Sequence, residues 1–112
     1  MPQFDPSELA IHHAKHRSQF PGLSPIEYEN LADSFLRRPS APGLLECKRK
    51  KGDTLRYDMA TEEFGVLSAA GIIRTYFKPV PCVSLPVHVV KSNCHGEPTN
   101  VEYFRSECGR ER

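Results

Sequence analysis

The chain has 112 residues, of which 38% are hydrophobic and 9% aromatic, with no Trp. This length is enough for one domain with a modest core, and it excludes two independent domains. The formal net charge is +1. The molecule as a whole is therefore not a polycation of the kind that binds nucleic acid through bulk charge, and any anion site must come from local clustering of cations.

Two helix-start signals stand in the first third of the sequence. Asp5, followed by Pro6 and Glu8, predicts a helix that runs to about residue 18, with Glu8 reaching back to the helix start. The segment 24–27 reads Ser-Pro-Ile-Glu, a clearer capping box. Apolar residues at helical spacing follow it and predict a second helix that ends near residue 37. Two of them, Tyr28 and Phe35, are expected in the core.

Four short strand-like runs follow, at 44–50, 54–58, 64–68 and 72–78. Connections as short as those between them require antiparallel neighbours. The segment 87–90 is a candidate fifth strand. The predicted fold class is α+β, with two N-terminal helices packed on an antiparallel β-meander of four to five strands.

The C-terminal residues 91–112 are polar, with a weak amphipathic pattern at 101–104, and the sequence does not assign them to an element. No CxxC spacing connects the cysteines, which are Cys47, Cys82, Cys94 and Cys108. We expect reduced thiols. The alternatives are a disulfide framework, or a zinc site that combines the last three cysteines with His95.

Three residues near the start of the chain are candidates for catalysis. His12, Lys15 and His16 stand at i, i+3 and i+4, so a helix places them on one face. An imidazole can transfer a proton near neutral pH, and a cation can stabilise a phosphate oxyanion. His12 and His16 could instead bind zinc, but no third ligand stands at a suitable spacing. The simplest interpretation of His12 and of His16 is an exposed helical histidine that has no catalytic role.

The last strand-like run ends in Arg74-Thr75-Tyr76-Phe77-Lys78, which adds cations, a hydroxyl and aromatic rings. Strand alternation puts Thr75 and Phe77 on one face and Arg74, Tyr76 and Lys78 on the other. Arg74 is then expected to point away from a site that contains Thr75. Such strand residues often serve the sheet alone.

Further basic residues could contact phosphate. The run Lys48-Arg49-Lys50-Lys51 is either a solvated strand face or a patch that follows an RNA backbone. Arg56, beside Tyr57, is another candidate phosphate ligand.

Several of these segments, taken together, resemble a known family. They are Lys15-His16, the second helix, the basic strand with its Gly turn, the strand containing Tyr57-Asp58, and the final segment Gly71–Lys78. In order and spacing they resemble the tRNA-cleaving domain of colicin D. That domain belongs to the barnase–colicin nuclease superfamily, found as C-terminal domains of bacterial competition toxins. The resemblance covers about residues 12–80 of a single nuclease-like domain spanning 1–112, and leaves 81–112 as a C-terminal extension.

The resemblance implies a set of site residues. In colicin D-like nucleases a Lys-His pair on the first helix and a Ser with a Trp on the last strand build the active site. Carried over, the pair falls on Lys15 and His16, the hydroxyl position on Thr75 and the aromatic position on Phe77. Thr keeps the hydroxyl, whereas Phe keeps an aromatic face but lacks the indole N–H. The predicted substrate-binding residues are His12, Lys48, Lys50, Arg56, Arg74 and Lys78.

The implied function is metal-independent endoribonuclease activity on tRNA. The ribose 2′-OH attacks the adjacent phosphorus and leaves a 2′,3′-cyclic phosphate, and no metal or cofactor is expected. The domain would act as a growth-inhibiting toxin, opposed by a cognate immunity protein. The sequence lacks a signal-peptide pattern and an apolar stretch that could span a bilayer, so we expect a cytoplasmic site of action. Delivery from another cell as part of a larger toxin fits this expectation. The alternatives are a catalytically silent RNA-binding or protein-interaction module on the same scaffold, and a module stabilised by zinc on the tail cysteines.

Overall fold

The computed structural model describes residues 3–85 and 94–110, which form three α-helices and a five-stranded sheet. The elements in chain order are β1 (Gln3–Phe4), α1 (Pro6–His16), α2 (Pro25–Arg37), β2 (Leu44–Lys48), β3 (Thr54–Asp58), β4 (Phe64–Leu67), β5 (Ile72–Phe77) and α3 (Asn100–Cys108). Short 3₁₀ turns follow α1 at Arg17–Gln19 and precede α3 at Cys82–Ser84. The α+β class is therefore confirmed.

Both predicted helix starts are present. The Asp5 side chain accepts a hydrogen bond from the Ser7 backbone N–H at 2.9 Å. Ser24 and Glu27 form a reciprocal capping box at the start of α2. The role predicted for Glu8 was wrong, because its carboxylate lies 3.8 Å from Nε2 of His12, one turn along the helix, instead of capping the helix start.

The sheet has the strand order β1-β5-β4-β3-β2. Strands β2 to β5 pair antiparallel in sequence order, as the short turns predicted. The prediction of a purely antiparallel sheet was wrong, because β1 pairs parallel with β5. Two residues before a helix carry no strand pattern of their own, so only the tertiary structure reveals β1. The candidate strand at 87–90 lies outside the described residues.

The two faces of the sheet bury separate cores. On one face, Tyr28 and Phe35 of α2 pack with Ile73 and Tyr76 of β5, which confirms the core role of the two α2 residues. On the other face, Phe104 of α3 packs in a cluster with four sheet side chains. Those are Leu55, Tyr57, Phe64 and Val66. The prediction that the helices are all N-terminal was wrong, since α3 packs on the second face of the sheet and the C-terminal segment completes the fold.

The cysteines form two disulfides, so the expectation of reduced thiols was wrong. Cys47 of β2 is joined to Cys108 at the end of α3, and Cys82 is joined to Cys94. Cys47 and Cys108 are 61 residues apart in sequence and meet because α3 folds back onto the sheet. Sulfur atoms in these bonds cannot serve as zinc ligands. Within residues 3–85 and 94–110, no group of three or more His, Cys, Asp or Glu side chains is arranged to hold a metal ion.

No helix in the described ranges is both long enough and apolar enough to cross a membrane.

Candidate active site

A cleft opens where the end of α1, the end of β5 and the C-terminal segment meet. Its volume is about 180 Å³. It is lined by Lys15, His16, Thr75, Phe77, Cys94, His95 and Tyr103. All four residues that the colicin D resemblance selected therefore lie on one cleft, although two come from a helix and two from the final strand.

His16 is the last residue of α1 and is only 6% exposed, unlike the exposed helical residue expected from the sequence. Its ring stacks on Phe77 with the centroids 4.8 Å apart and the planes 11° from parallel. Burial, with smaller contributions from Lys15 and His12, lowers the pKa of His16 from 6.5 to about 4. The imidazole is therefore neutral at pH 7 and holds a lone pair that can accept a proton.

Phe77 supports the imidazole instead of offering a free stacking face. One side of its ring stacks on His16. Phe64 meets the same ring in an edge arrangement, with centroids 5.6 Å apart. An aromatic residue here therefore orients and desolvates His16, and this contact does not require the N–H donor that Phe lacks relative to Trp.

A β-bulge brings Arg74 to the cleft side of the sheet. Val66 pairs with Thr75 and Leu67 pairs with Ile73, so Arg74 is an extra residue on β5. The prediction that Arg74 points away from Thr75 was wrong, because it assumed regular alternation. The bulge also explains why Ile73 and Tyr76, three residues apart, both belong to the core on the opposite face.

An adjoining cleft of about 380 Å³ continues along the same wall. It shares Lys15, Thr75, Phe77 and Tyr103 with the first cleft. Its other lining residues are His12, Arg49, Phe64, Val66, Arg74 and Glu107. Arg49 is buried, with Nη1 3.2 Å from Asp53 and Nη2 3.5 Å from Glu107. The basic run is therefore not uniformly solvated, since Arg49 is part of the fold.

Four of the predicted substrate-binding residues line neither cleft. Arg56 is buried, its Nε donates to Glu46 at 2.7 Å, and its Nη1 donates to the main-chain oxygen atoms of Phe35 and Arg38. These contacts give Arg56 a structural role. The Lys78 ammonium lies 5.5 Å from the ring centroid of Phe20, in the core on the far side of the sheet.

The remaining two, Lys48 and Lys50, are exposed near the β2–β3 turn, and RNA contact by them stays a prediction.

The sequence interpretation missed the place of His95 and Tyr103 in the wall of the first cleft. His95 stacks on Tyr103 with the centroids 4.3 Å apart. Its Nδ1 accepts the Glu97 backbone N–H at 3.2 Å, and its Nε2 lies 2.7 Å from Oδ1 of Asn100. With both ring nitrogens engaged, His95 forms part of the wall and is not placed as a proton acceptor.

One local signal could have revealed this part of the site. Thr99 and Glu102 have capping-box spacing, and the Thr99 Oγ1 accepts the Glu102 backbone N–H at 3.1 Å. That pattern predicts the start of α3, the helix that carries Tyr103.

No protein-family model matches this chain, and its comparison with curated proteins gives no significant match. The colicin D-like assignment is therefore a proposal, which rests on the residues that carry the resemblance and on their geometry in the cleft.

The depressed histidine pKa values predict acid-sensitive stability. Burial lowers the pKa of both His16 and His12 from 6.5 in the folded chain. The unfolded chain therefore binds more protons as the pH falls through 6.5 towards the His16 pKa of about 4, and the free energy of unfolding should fall over that range. Well above pH 6.5 both rings are neutral in both states and the effect vanishes.

Denaturant unfolding at pH 7.5 and pH 5 measures this loss, and His16→Phe should reduce it because it removes one of the two groups. Equal stability at both pH values would contradict the burial assigned to these rings.

Proposed function

We propose that this chain is a metal-independent endoribonuclease of the colicin D-like kind, which cleaves tRNA and acts as a bacterial growth-inhibiting toxin domain. The observation that carries the proposal is the cleft that combines Lys15, His16, Thr75 and Phe77. It unites a neutral imidazole, an ammonium and a hydroxyl, which are the groups that metal-free transesterification needs.

Each residue has a defined part in the proposed reaction. The neutral His16 removes the proton of the ribose 2′-OH, whose oxygen then bonds to the adjacent phosphorus. Lys15 and the Thr75 hydroxyl stabilise the charge of the phosphorane. The P–O5′ bond breaks, and the imidazolium of His16, a strong acid because of its low pKa, returns the proton to the leaving oxygen. The products are a 2′,3′-cyclic phosphate and a 5′-OH.

The disulfides support a delivered domain over a resident cytoplasmic enzyme. Disulfides form and persist in secreted and surface proteins and are rare in the cytosol. We propose that the domain travels in the oxidised form and reaches tRNA in the cytoplasm of a target cell. The producing cell would need an immunity protein, and an acidic surface on that partner would suit the cationic cleft.

One observation favours a second candidate function. His16 is nearly inaccessible, and its ring faces Phe77. A catalytically silent RNA-binding or protein-interaction module would tolerate such burial, whereas a nuclease requires the substrate to reach an imidazole nitrogen.

Incubation of the purified, oxidised protein with total bacterial RNA separates the two functions. The nuclease proposal expects new RNA ends at one position within one or a few tRNAs, mapped by sequencing. RNA that is bound but stays intact at every time point would support the silent module and contradict the nuclease.

Substitutions at Thr75 test the site assignment. Thr75→Ser keeps the hydroxyl and should retain most of the cleavage rate. Thr75→Val keeps the shape and the β-propensity but removes the hydrogen-bonding oxygen. We expect it to lower the rate by about 10²–10³-fold, the usual loss for one missing transition-state donor.

Initial cleavage rates measure this effect, and Thr54→Val is the matched control. Thr54 is also a half-buried strand threonine, on β3, and it lines neither cleft. A Thr75→Val protein that cleaves like the parent would mean that Thr75 serves only the sheet.

A further inference from the structure

The adjoining cleft keeps an excess of positive charge after its own ion pairs are counted. Among the described residues, four cations and three carboxylates lie in or behind its wall: Lys15, Arg49, Arg74 and Arg110, with Asp53, Glu107 and the Glu8 carboxylate beside His12. Asp53 is shared by Arg49 and Arg74, at 3.2 Å and 3.0 Å. Glu107 is likewise placed between Arg49 and Arg110. Three guanidiniums thus share two carboxylates, and Lys15 adds a further cation, so the cluster is suited to an anion.

Arg74 is the cation best placed to meet such an anion. Its side chain is 51% exposed, and its Nε donates to the buried Asp53. This contact uses one of the five N–H donors of the guanidinium. Within residues 3–85 and 94–110 the Arg74 side chain makes no other ion pair or side-chain hydrogen bond. Asp53 therefore orients Arg74, while the two terminal amino groups can bind a phosphate in the bidentate manner typical of arginine.

The position of this cation relative to the reaction centre suggests which anion it binds. Lys15 and Thr75 line both clefts, and the bulge places Arg74 next to Thr75 on β5. A phosphate held by Arg74 would be a close neighbour of one held by Lys15 and Thr75. Closely spaced phosphates in series are a property of a single RNA strand.

We propose that the adjoining cleft is a second phosphate subsite, in which Arg74, oriented by Asp53, binds the phosphate next to the scissile one. The identity of the ligand as RNA rests on the proposed function. The affinity of the cleft for phosphate does not, because it follows from the arginine cluster alone.

Titration with inorganic phosphate tests the subsite without any cleavage. The Nε–H resonance of Arg74 should shift and saturate in NMR spectra of the oxidised protein. Arg37 is a matched control, since it is also 51% exposed and pairs with a buried aspartate, Asp33, on α2. Its resonance should stay in place. No shift at Arg74, or equal shifts at both arginines, would overturn the subsite.

Dinucleotide substrates test its use in catalysis. We compare kcat/KM for a dinucleotide with one internal phosphodiester against the same dinucleotide with an added 5′- or 3′-phosphate. In the parent protein one of the two phosphates should raise kcat/KM by about 10- to 100-fold, as expected for one charge-assisted hydrogen-bonded pair. Arg74→Gln should bring that ratio close to one, and Arg37→Gln should preserve it.

The outcomes separate this inference from the proposed function. A parent ratio near one, or an undiminished ratio in Arg74→Gln, would overturn the subsite while leaving the nuclease in place. If no dinucleotide and no tRNA is cleaved, the nuclease proposal fails, and the phosphate titration alone decides whether the subsite exists. Asp53 keeps Arg49 as a partner in Arg74→Gln, so the buried carboxylate is not left unpaired.

Discussion

Replacing His16 by Phe is expected to lower the rate of tRNA cleavage by about 10²–10⁴-fold, the usual contribution of general acid–base catalysis. Phe has no proton-transferring nitrogen, but it keeps an aromatic ring against Phe77, on which the imidazole stacks. His16→Ala is less informative, because it would leave a cavity at a buried position and confuse lost chemistry with lost stability. Initial rates and thermal unfolding, measured on the same preparations, separate the two effects.

His13→Gln is the control for this experiment. His13 lies three residues before His16 on α1, but its Nε2 is 2.7 Å from the main-chain oxygen of Leu23, and it lines neither cleft. Gln can still donate to that oxygen, so the variant should cleave tRNA like the parent. If His16→Phe also cleaves like the parent, His16 is not the group that moves the proton.

Removal of the disulfide between Cys47 and Cys108, by changing both residues to Ser, is expected to cost more stability than removal of the other disulfide. The two bonds close segments with sequence separations of 61 and 12. The chain-entropy relation gives losses of about 4 and about 3 kcal/mol in the free energy of unfolding. Denaturant unfolding of the two double variants measures both values.

Loss of the longer link should also slow cleavage. Cys108 ends α3, the helix that brings Tyr103 to the cleft wall. Reduction of the parent protein should also slow cleavage, because it breaks this bond. If the domain is delivered as proposed, the rate of disulfide reduction in the target cytoplasm would limit how long it stays active. A protein that keeps its stability and cleavage rate after complete reduction would contradict the structural role given to this bond.

Local signals in the sequence were sufficient to predict the first two helices and the antiparallel strands. The Ser24–Glu27 capping box and the short turns between strands act over a few residues, and sequence patterns record such short-range effects. Strand β1 and the Cys47–Cys108 disulfide depend on contacts between residues that are distant in sequence. Helix α3 had a local signal at Thr99 and Glu102, but the surrounding polar composition concealed it.

The candidate site was also predicted in part from the sequence, while its remaining features depend on the tertiary structure. Helical spacing brought His12, Lys15 and His16 together, and resemblance alone singled out Thr75 and Phe77. The burial of His16 could not be predicted, because the ring that covers it comes from β5. The Arg74 error came from a bulge, which changes the face of a side chain without any mark in the residue pattern.

The chemistry of the cleaved RNA ends is the most direct test of the proposed metal-independent nuclease mechanism. The parent protein is incubated with tRNA in excess EDTA, and the 3′ termini of the fragments are identified by mass spectrometry. Because the proposed mechanism uses only a neutral imidazole, an ammonium and a hydroxyl, we expect undiminished cleavage in EDTA. The products should carry a 2′,3′-cyclic phosphate and a 5′-OH. Cleavage that stops in EDTA and returns with a divalent ion, or that leaves a 3′-OH and a 5′-phosphate, would contradict the proposed mechanism.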